Sequence, residues 1–456
     1  GALEQALRDG RRVKAVASGH STSAVARPDD SQLAINLSNL DRVLKPSHQK
    51  SVLPAYARGK GTALVRVQAG RTIRNASKAL LEAGLALPNS GTFDGQQIGG
   101  ALCTGTHGSG ATFPTLAYLV MSIDMLTTVP KPGGGHEIRK LRIEPTNGIT
   151  DPHTFRPMRD LVQDDAVFRA AVVSFGTMGV VISMTLKVRE KFWMRETRQY
   201  MRWSALKPQL SQIARSADHV DIHINPYRKK GDNSCVIIRR QDIPWKDKKK
   251  LPERPNDQDF IKWVARTFGT DLLGWFAWNM SGFVADGMDK YCKRKKPFES
   301  ASHKVLITGL GYDIEASSSE FAVNVADGGD MVDTVLDIAD THHDHPKTTR
   351  IRHSSPLGLR FVKKSDQLLS PHRNGLNATL EIPFVVGTKN RDFALDTYEA
   401  ALGNARPHWG QRTSIDAAKA STLYGADWDA WKSVYARFNA VGMFNNRFTG
   451  QVGIDR

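Results

Sequence analysis

A glycine-rich segment, "IGGALCTGTHGSG" at residues 98–110, constrains this chain more than any other. Five of its thirteen residues are glycine, with threonine and serine between them. Because glycine has no Cβ, successive backbone N–H groups can come within reach of a ligand. Phosphates and the edge of a nucleotide ring suit such a surface. The segment is not a P-loop, since it lacks Gly-Lys-Ser/Thr, nor a G-x-G-x-x-G turn between a strand and a helix. By itself it is therefore a weak signal of nucleotide binding.

A second small-residue segment, "VASGHSTS" at residues 16–23, follows a short β-branched run and carries His20 in its turn. A lone loop histidine is usually solvated or bonded to backbone, but an imidazole can also act as a reagent. The two segments are about 80 residues apart, and each carries a histidine after glycine or threonine.

Composition excludes several classes of protein. The 456 residues are 40% hydrophobic and 24% charged, which is typical of a globular protein of two or three lobes. The net charge of +17 comes from scattered residues, with dense runs only in "KDKKK" (246–250) and "KRKK" (293–296). We interpret these runs as solvated loops rather than a nucleic-acid site. Three widely spaced cysteines argue against a disulfide framework and a metal cluster, so no metal is expected.

No segment reaches the apolar length of a membrane span, so no transmembrane segment is expected. The chain starts at Gly1 inside a helical pattern, which predicts that an N-terminal piece is missing. The compartment stays open: soluble and cytoplasmic is the default, and a cleaved leader fits the same sequence.

Short strands alternate with helices over residues 1–130, which predicts an α+β fold rather than a repeating βαβ array. "RRVKAVASG", "LAINLSNL" and "TALVRVQAG" are predicted strands, and "TIRNASKALLEAGLAL" is an amphipathic helix that Gly84 ends. "VVSFGTMGVVISMTLKV" (172–188) predicts a turn entering a long strand. Further strands are predicted at Lys304–Leu310, Leu359–Lys363 and Ala378–Val386. The aromatic stretch 260–284 is either a membrane-touching or partner-binding surface or, more commonly, packing under a lid.

Five motifs in this order make the chain resemble the vanillyl-alcohol-oxidase (PCMH-type) FAD flavoproteins, in the branch with aldonolactone and alditol oxidases. They are the two glycine segments, "SFGTMGVVISMTLKV", "RFVKKSDQLLSP", and the pair "ARPHWGQ" and "GMFNNRF". The resemblance implies an FAD-binding domain of two subdomains in 1–190, truncated at its N-terminus. It implies a mixed-sheet substrate (cap) domain in 191–405, with an unmatched insertion at 225–300. Residues 406–456 would return to the flavin.

The resemblance also implies which residues bind the cofactor. His20 would be bonded covalently to the flavin, the first segment would wrap the pyrophosphate, and the second would run along the ring. His107 is expected to be structural rather than catalytic. The implied FAD-binding residues are Ser18, Gly19, His20, Ser21, Thr22, Ser23, Gly100, Cys103, Thr104, Gly105, His107, Gly108, Ser109, Gly110, Gly179, Val180, His408 and Asn446.

The substrate side departs from the family. A glutamate two residues before an arginine is typical of the family, but here Gly358 precedes Arg360. Glu381 stands where an alditol oxidase has histidine, and Gln411 stands where the family has lysine. We predict that Arg360, Glu381 and Gln411 form the catalytic group, with Arg360 stabilising negative charge and Glu381 accepting a hydroxyl proton. The alternative is that Glu381 only neutralises Arg360.

The predicted function is oxidation of a carbinol group in a polyol, a lactone or a sugar-like natural product, by hydride transfer to FAD. Dioxygen is the expected acceptor. A dehydrogenase with another acceptor is the first alternative. A basic binding protein on a vestigial flavin fold is the second, because the pocket is altered and the charge is high.

Overall fold

The computed structural model describes residues 1–44, 62–254, 270–307 and 315–455. Within these ranges, residues 1–190 form a seven-stranded sheet and a separate parallel pair. The strands are β1 (Val13–Val16), β2 (Leu33–Asn36), β3 (Val43–Leu44), β4 (Thr62–Gln68), β5 (Leu85–Ala86), β6 (Val120–Pro130), β7 (His136–Glu144), β8 (Leu161–Gln163) and β9 (Val180–Glu190). The larger sheet has the order β3-β4-β9-β6-β7-β8, with β5 paired to β9, and β1 pairs with β2.

Helices α1 (Ala2–Arg8), α2 (Ile73–Glu82), α3 (Ile98–Cys103) and α4 (Asp165–Val172) belong to the same region. The Thr72 side chain caps α2 by accepting from the Asn75 N–H at 3.2 Å. Its apolar residues Ile73, Ala76 and Leu80 are buried. The helix ends at Glu82, and Gly84 follows with a φ of +75°. The predicted helix is thus confirmed, and it ends at Glu82, two residues before the glycine that was predicted to end it.

An eight-stranded sheet follows, in the order β13-β10-β12-β11-β15-β16-β14-β17. Its strands are β10 (Trp193–Arg202), β11 (His219–Lys229), β12 (Asp232–Ile243), β13 (Phe298–Ala301), β14 (Ala316–Asn324), β15 (Leu357–Lys363), β16 (Leu376–Val385) and β17 (Arg406–Pro407). The described helices of this part are α5 (Trp203–Leu206), α6 (Leu210–Ile213), α7 (Thr270–Asn279), α8 (Ser281–Cys292), α9 (Ser302–Leu306), α10 (Gly328–His342) and α11 (Arg391–Ala401).

The two faces of this sheet differ. Alternate residues such as Ile222, Leu359 and Leu380 are fully buried in one apolar cluster with Val332 and Val335 of α10. The residues between them, on the same strands, are polar or charged and point to the opposite face. The sheet therefore presents a polar face away from its own helices.

Three C-terminal helices, α12 (Ala417–Tyr424), α13 (Ala426–Phe438) and α14 (Arg447–Gln451), return to the first domain. Trp431 Nε1 donates to the Val173 carbonyl at 3.0 Å, and Thr128 Oγ1 donates to the Phe438 carbonyl at 2.7 Å. Both contacts join α13 to the seven-stranded sheet and its helix α4. The end of the chain thus completes the core of the first domain.

The second glycine segment joins the two sheets. Gly110 N donates to the Phe361 carbonyl at 2.6 Å, and Phe361 N donates to Ser109 Oγ at 3.1 Å. Gly110 has a φ of +142°, and a Cβ there would lie 2.6 Å from the Asp218 carbonyl oxygen. Only glycine fits this backbone and this approach. The segment is consequently fixed by the polar sheet as well as by its own domain.

One strand prediction is wrong. Lys304–Leu310 was expected to be a strand, but residues Ser302–Leu306 form α9, and residues 308–310 lie outside the described ranges. A short apolar run has the same hydrophobicity in a buried strand and in a buried helix, so its pattern does not separate them. The strand next to it, Phe298–Ala301, has no clear pattern of its own in the sequence.

The remaining features follow the sequence more closely. The runs 246–250 and 293–296 lie in loops, and the three cysteines are free and buried. The part of the aromatic stretch that is described forms α7 and the start of α8, where Trp275, Met280 and Phe283 are exposed. Residues 260–269 of that stretch lie outside the described ranges. No helix in the described residues is long and apolar enough to cross a membrane.

Candidate active site

The first small-residue segment borders an open cavity. Its loop is fixed at both ends. Gln97 N donates to Ser18 Oγ at 3.1 Å, Thr22 N donates to the Gly410 carbonyl at 3.0 Å, and Ser23 Oγ donates to the Trp409 carbonyl at 2.6 Å. The C-terminal segment therefore holds the loop in place. The predicted cofactor residues that line the cavity are Ser18, Gly19, His20, Ser21, Gly100, Cys103, Thr104 and Gly179.

Two glycines of the cavity wall pack closely against their protein neighbours. A Cβ on Gly100 would lie 3.0 Å from the Ala17 Cβ, and one on Gly179 would lie 2.5 Å from the Leu126 carbonyl oxygen. The wall therefore has no room for a side chain at Gly179 and little room for one at Gly100. The Cys103 thiol also lines it, and burial raises the pKa of this thiol to about 11. Cys103 is consequently a neutral, apolar part of the wall.

Lys14 is a buried cation in the same cavity, which the sequence prediction missed. Its side chain is 2% exposed, and its Nζ donates to the Phe175 carbonyl at 3.0 Å. Burial lowers its pKa to about 8, although Cys103 and Asp29 oppose the shift. No carboxylate of the described residues forms an ion pair with it. Because a buried ammonium without a counter-ion is costly, an anionic ligand such as a pyrophosphate fits this site.

His20 lies at the mouth of the cavity. Its ring stacks on Phe93 with the ring centroids 4.3 Å apart. Desolvation lowers the pKa of His20, and the negative charge of Glu381 partly opposes this shift. The imidazole is accordingly neutral and nucleophilic near pH 7. Backbone contacts place the His20 loop beside the polar sheet: Thr22 N donates to the Gly410 carbonyl at 3.0 Å, and His408 N donates to the Glu320 carbonyl at 2.8 Å.

The polar face of the eight-stranded sheet carries the predicted catalytic residues. Glu381 on β16 pairs with Gly358 on one side and with Glu320 of β14 on the other. Arg360 Nη2 donates to Glu381 Oε2 at 2.5 Å, and its Nη1 donates to Glu320 Oε1 at 3.3 Å. Burial alone would lower the pKa of Arg360, but the two carboxylates raise it. Arg360 is thus a fixed cation between two carboxylates.

Gln411 completes this group. Its Nε2 donates to Glu320 Oε2 at 3.2 Å and lies 3.5 Å from Glu381 Oε1, while its Oε1 accepts from Ser318 Oγ. The structure therefore brings together the three predicted catalytic residues, Arg360, Glu381 and Gln411. They lie beside the loop at Gly410 that holds the His20 segment.

Glu320 is the central residue that the sequence prediction missed. Its side chain is 3% exposed and accepts from Arg360, from Gln411, and from His107 Nε2 at 3.0 Å. Burial tends to raise the pKa of Glu320, but the charges of His107 and Arg360 hold it well below the usual range. A glutamate in the small-residue strand "ASSSEFAVN" was the available signal.

Several predicted cofactor residues lie outside the cavity lining. The His107 ring contacts the Glu320 carboxylate, and the His408 backbone N–H donates to the Glu320 carbonyl oxygen. A ring nitrogen of each histidine and a carboxylate oxygen of Glu320 lie within 4.8 Å of one another. His408 Nδ1 accepts from Gly410 N at 3.1 Å, so its lone pair has a protein partner. Asn446 caps α14 in a capping box. The predicted residues outside the lining are Thr22, Ser23, Gly105, His107, Gly108, Ser109, Gly110, Val180, His408 and Asn446.

A second missed pair flanks the site. His223 on β11 pairs with Gly358, opposite to Glu381, and its Nδ1 lies 2.6 Å from the Tyr291 hydroxyl. Tyr291 is in α8, within the segment 225–300, which contains none of the five motifs on which the resemblance rests. Burial lowers the pKa of His223 to about 4 and raises that of Tyr291 to about 12, so both are neutral near pH 7.

Comparison with known proteins agrees with these observations. The profile of the D-arabinono-1,4-lactone oxidase family matches residues 184–452, and that of an FAD binding domain matches residues 1–129. The L-gulono-1,4-lactone dehydrogenase of Mycobacterium tuberculosis (strain ATCC 25618 / H37Rv) is 24% identical over 99% of this chain and 92% of its own. The L-gulonolactone oxidase of Bos taurus is 23% identical over 99% and 91%, respectively.

Solved structures share the fold. A solvent-stable cholesterol oxidase superposes with a TM-score of 0.71 at 15% identity, covering 99% of this chain and 92% of its own. A VAO-type flavoprotein from Myceliophthora thermophila C1 gives a TM-score of 0.61 at 13% identity, covering 96% and 75%. The predicted α+β fold, with a PCMH-type FAD-binding domain and a second sheet-rich domain, is confirmed. The chain belongs to the D-arabinono-1,4-lactone oxidase family and is an FAD-dependent oxidoreductase.

Proposed function

We propose that this enzyme oxidises a ring or chain carbinol of an aldonolactone or a similar sugar-like molecule. The observation that carries the proposal is Arg360, held between Glu381 and Glu320 on the polar sheet face, beside the Gly410 loop that contacts the His20 segment. The names of the relatives, which are lactone oxidases and dehydrogenases, support this substrate class. Bound FAD would supply the hydride acceptor.

Glu381 and Arg360 would share the work at the carbinol. Glu381 is partly exposed, so a substrate hydroxyl can reach its carboxylate and give up a proton. Arg360 would stabilise the negative charge that develops on the substrate oxygen. Gln411 is a neutral amide and cannot supply the positive charge of a lysine. Its role would be to orient the two carboxylates through its amide N–H groups.

The variant E381Q tests this assignment. Under the proposal it loses about 100-fold or more in kcat, since a positioned base contributes at least that much. Its visible spectrum and flavin content stay as in the wild type. The matched control is E299Q, the same change at an exposed glutamate of the same sheet, which should keep full activity. Unchanged turnover in E381Q would assign Glu381 to the neutralisation of Arg360.

The gap at Gly358 would admit a substituent of the substrate. Glu381 flanks it on one side, and the neutral His223–Tyr291 pair flanks it on the other. A longer or decorated sugar-like substrate would contact the Tyr291 hydroxyl there. The variant Y291F should raise KM for L-gulono-1,4-lactone more than for the shorter D-arabinono-1,4-lactone. Equal effects of Y291F on the KM of both lactones would show that the space between Gly358 and Tyr291 does not bind the substrate.

A covalent bond between His20 and the flavin is the finer part of the proposal. The position of His20 in the cavity wall and its neutral ring support it. After acid precipitation, yellow colour should remain in the protein pellet of the wild type and move to the supernatant in H20A. Colour in the supernatant of the wild type would overturn the linkage and leave FAD binding intact.

The electron acceptor is proposed to be dioxygen, with a dehydrogenase as the alternative. Small residues such as Gly99, Gly100 and Ala101 lie in the cavity wall, where they would leave room for dioxygen at the flavin. Hydrogen peroxide formed at one equivalent per lactone under air would support the oxidase. Turnover only with an added dye would assign the dehydrogenase.

A further inference from the structure

Both ring nitrogens of His107 face oxygen atoms. The Gly108 carbonyl oxygen can only accept a hydrogen bond, and the Glu320 carboxylate can only accept one when it is ionised. Nδ1 lies 2.8 Å from the Gly108 carbonyl oxygen, and Nε2 lies 3.0 Å from Glu320 Oε1. A neutral imidazole has one N–H and one lone pair, whereas an imidazolium has two N–H groups. The geometry therefore requires either a charged His107 ring or a protonated Glu320.

The contacts of Glu320 favour the ionised carboxylate. Its Oε1 accepts from Arg360 Nη1 at 3.3 Å, and its Oε2 accepts from Gln411 Nε2 at 3.2 Å. A proton on either oxygen would compete with these donors.

The other histidines beside His107 are neutral. The His408 ring, with its centroid 5.6 Å away, uses its Nδ1 lone pair to accept from Gly410 N. The His372 ring is 4.7 Å away, and its Nε2 bonds Thr379 Oγ1. Burial lowers the pKa of both rings, that of His408 to about 4. Within the described residues, Glu320 thus has one histidine as its direct side-chain partner.

We propose that Glu320 is a positioning residue that holds His107 as a buried imidazolium, so that two cations, His107 and Arg360, face two carboxylates, Glu320 and Glu381. The cluster is neutral as a whole, which is the arrangement in which buried charges are tolerated. It also places a positive charge on the glycine segment.

This charge has a consequence for the proposed reaction, and the consequence rests on the proposed function. The family resemblance implies a lysine at position 411, where this chain has Gln411. His107 would supply the missing cation from the opposite side of Glu320. A fixed positive charge there would favour the negative charge that the cofactor gains on reduction.

Nitrogen-15 NMR of histidine-labelled protein without cofactor at pH 7.5 tests the proposal directly. H107Q assigns the His107 signals by their loss. In the wild type, both His107 nitrogens should show protonated shifts, while His408 shows one protonated and one unprotonated nitrogen as an internal control. In E320Q, one His107 nitrogen should move to the unprotonated range, because an amide does not hold the charge. The surface variant E299Q should leave all signals unchanged.

An unprotonated His107 nitrogen in the wild type would overturn the proposal, and this result does not depend on whether E320Q folds. An unchanged His107 in folded E320Q would overturn it as well. A second readout uses the loaded protein: the flavin reduction potential should be more negative in H107Q than in E299Q, because H107Q loses the positive charge and keeps the Glu320 carboxylate. If the proposed lactone oxidation fails, the NMR result still decides the charge of His107.

Discussion

Gly358 and Glu381 face each other across two paired strands, and a Cβ on Gly358 would lie 3.7 Å from Glu381 Oε2. The carboxylate of Glu381 thus borders the space that a side chain at position 358 would enter. Arg360, two residues after Gly358, donates to Glu381 on the neighbouring strand. A glutamate–arginine pair is therefore formed here between paired strands rather than along one strand.

Restoring a glutamate at Gly358 should reduce activity. In G358E, a third carboxylate would lie beside Glu381 and Glu320 with Arg360 as the nearby cation, and like charges on paired strands repel. We expect kcat/KM for a lactone to fall about tenfold, which corresponds to about 1.4 kcal/mol. G358A, which makes only ordinary contacts, should stay within about twofold. Steady-state kinetics check both, and equal values for G358E and G358A would contradict the charge argument.

Replacing Lys14 should stabilise the cofactor-free protein and weaken FAD binding. The folded pKa of Lys14 is about 8, below its value of 10.5 in the unfolded chain. Between these two pKa values, the unfolded chain binds more protons than the folded chain, so the free energy of unfolding rises with pH. Below pH 8 the folded protein carries the full cost of burying the charged Lys14 side chain. At pH 7, the free energy of unfolding of cofactor-free K14M should be about 1–3 kcal/mol higher than that of the cofactor-free wild type.

Chemical denaturation of the apoprotein at pH 7 and 10 measures that difference. Fluorescence titration with FAD should show at least about tenfold weaker binding for K14M, because the counter-charge of the pyrophosphate is lost. K78M is a matched control at a lysine outside the cavity. Equal FAD affinity in K14M and the wild type would contradict the role of Lys14 as the counter-ion.

Acid should destabilise the protein between pH 6.5 and about 4. Burial lowers the pKa of His219, His223, His303 and His408 to about 4, from 6.5 in the unfolded chain. These rings are neutral in the folded state, so their contribution to stability is present above pH 6.5 and is lost as the pH falls toward 4. Each histidine adds a slope of up to about 1.4 kcal/mol per pH unit.

Urea unfolding at pH 7.5, 6 and 5 checks this slope. In H303Q, the dependence of the unfolding free energy on pH should be less steep by the contribution of one histidine, because no ring at position 303 takes up a proton on unfolding. A free energy of unfolding that is constant over this range would contradict the prediction.

An alanine at Gly110 should uncouple the glycine segment from the polar sheet. Its φ of +142° and the Asp218 carbonyl 2.6 Å from the added Cβ exclude a side chain. We expect G110A to lose about 3 kcal/mol or more of stability. The control G287A, in the interior of α8 with no atom within 4 Å of the added Cβ, should be neutral or gain about 0.5–1 kcal/mol. Thermal unfolding compares them, and equal midpoints would contradict the steric argument.

Local patterns in the sequence predicted much of the fold. The amphipathic period fixed α2, and the runs near Leu359–Lys363 and Ala378–Val386 became β15 and β16 within a few residues. The small-residue segments around His20 and His107, with the downstream motifs, were sufficient for the family. These features depend on neighbouring residues along the chain, which is why one sequence was enough to recognise them.

The tertiary structure alone decided the partners of Arg360. Glu320 lies 40 residues before it and Glu381 lies 21 after it, and only the strand order β15-β16-β14 brings them together. The same holds for Lys14, whose burial depends on a loop 161 residues away. Charge, burial and pKa are set by contacts across strands. The alternation along one strand indicates which face is buried, but it does not say which strand lies next to it. For this reason the sequence by itself determined the cofactor class, and the pairing of the strands decided the electrostatics of the site.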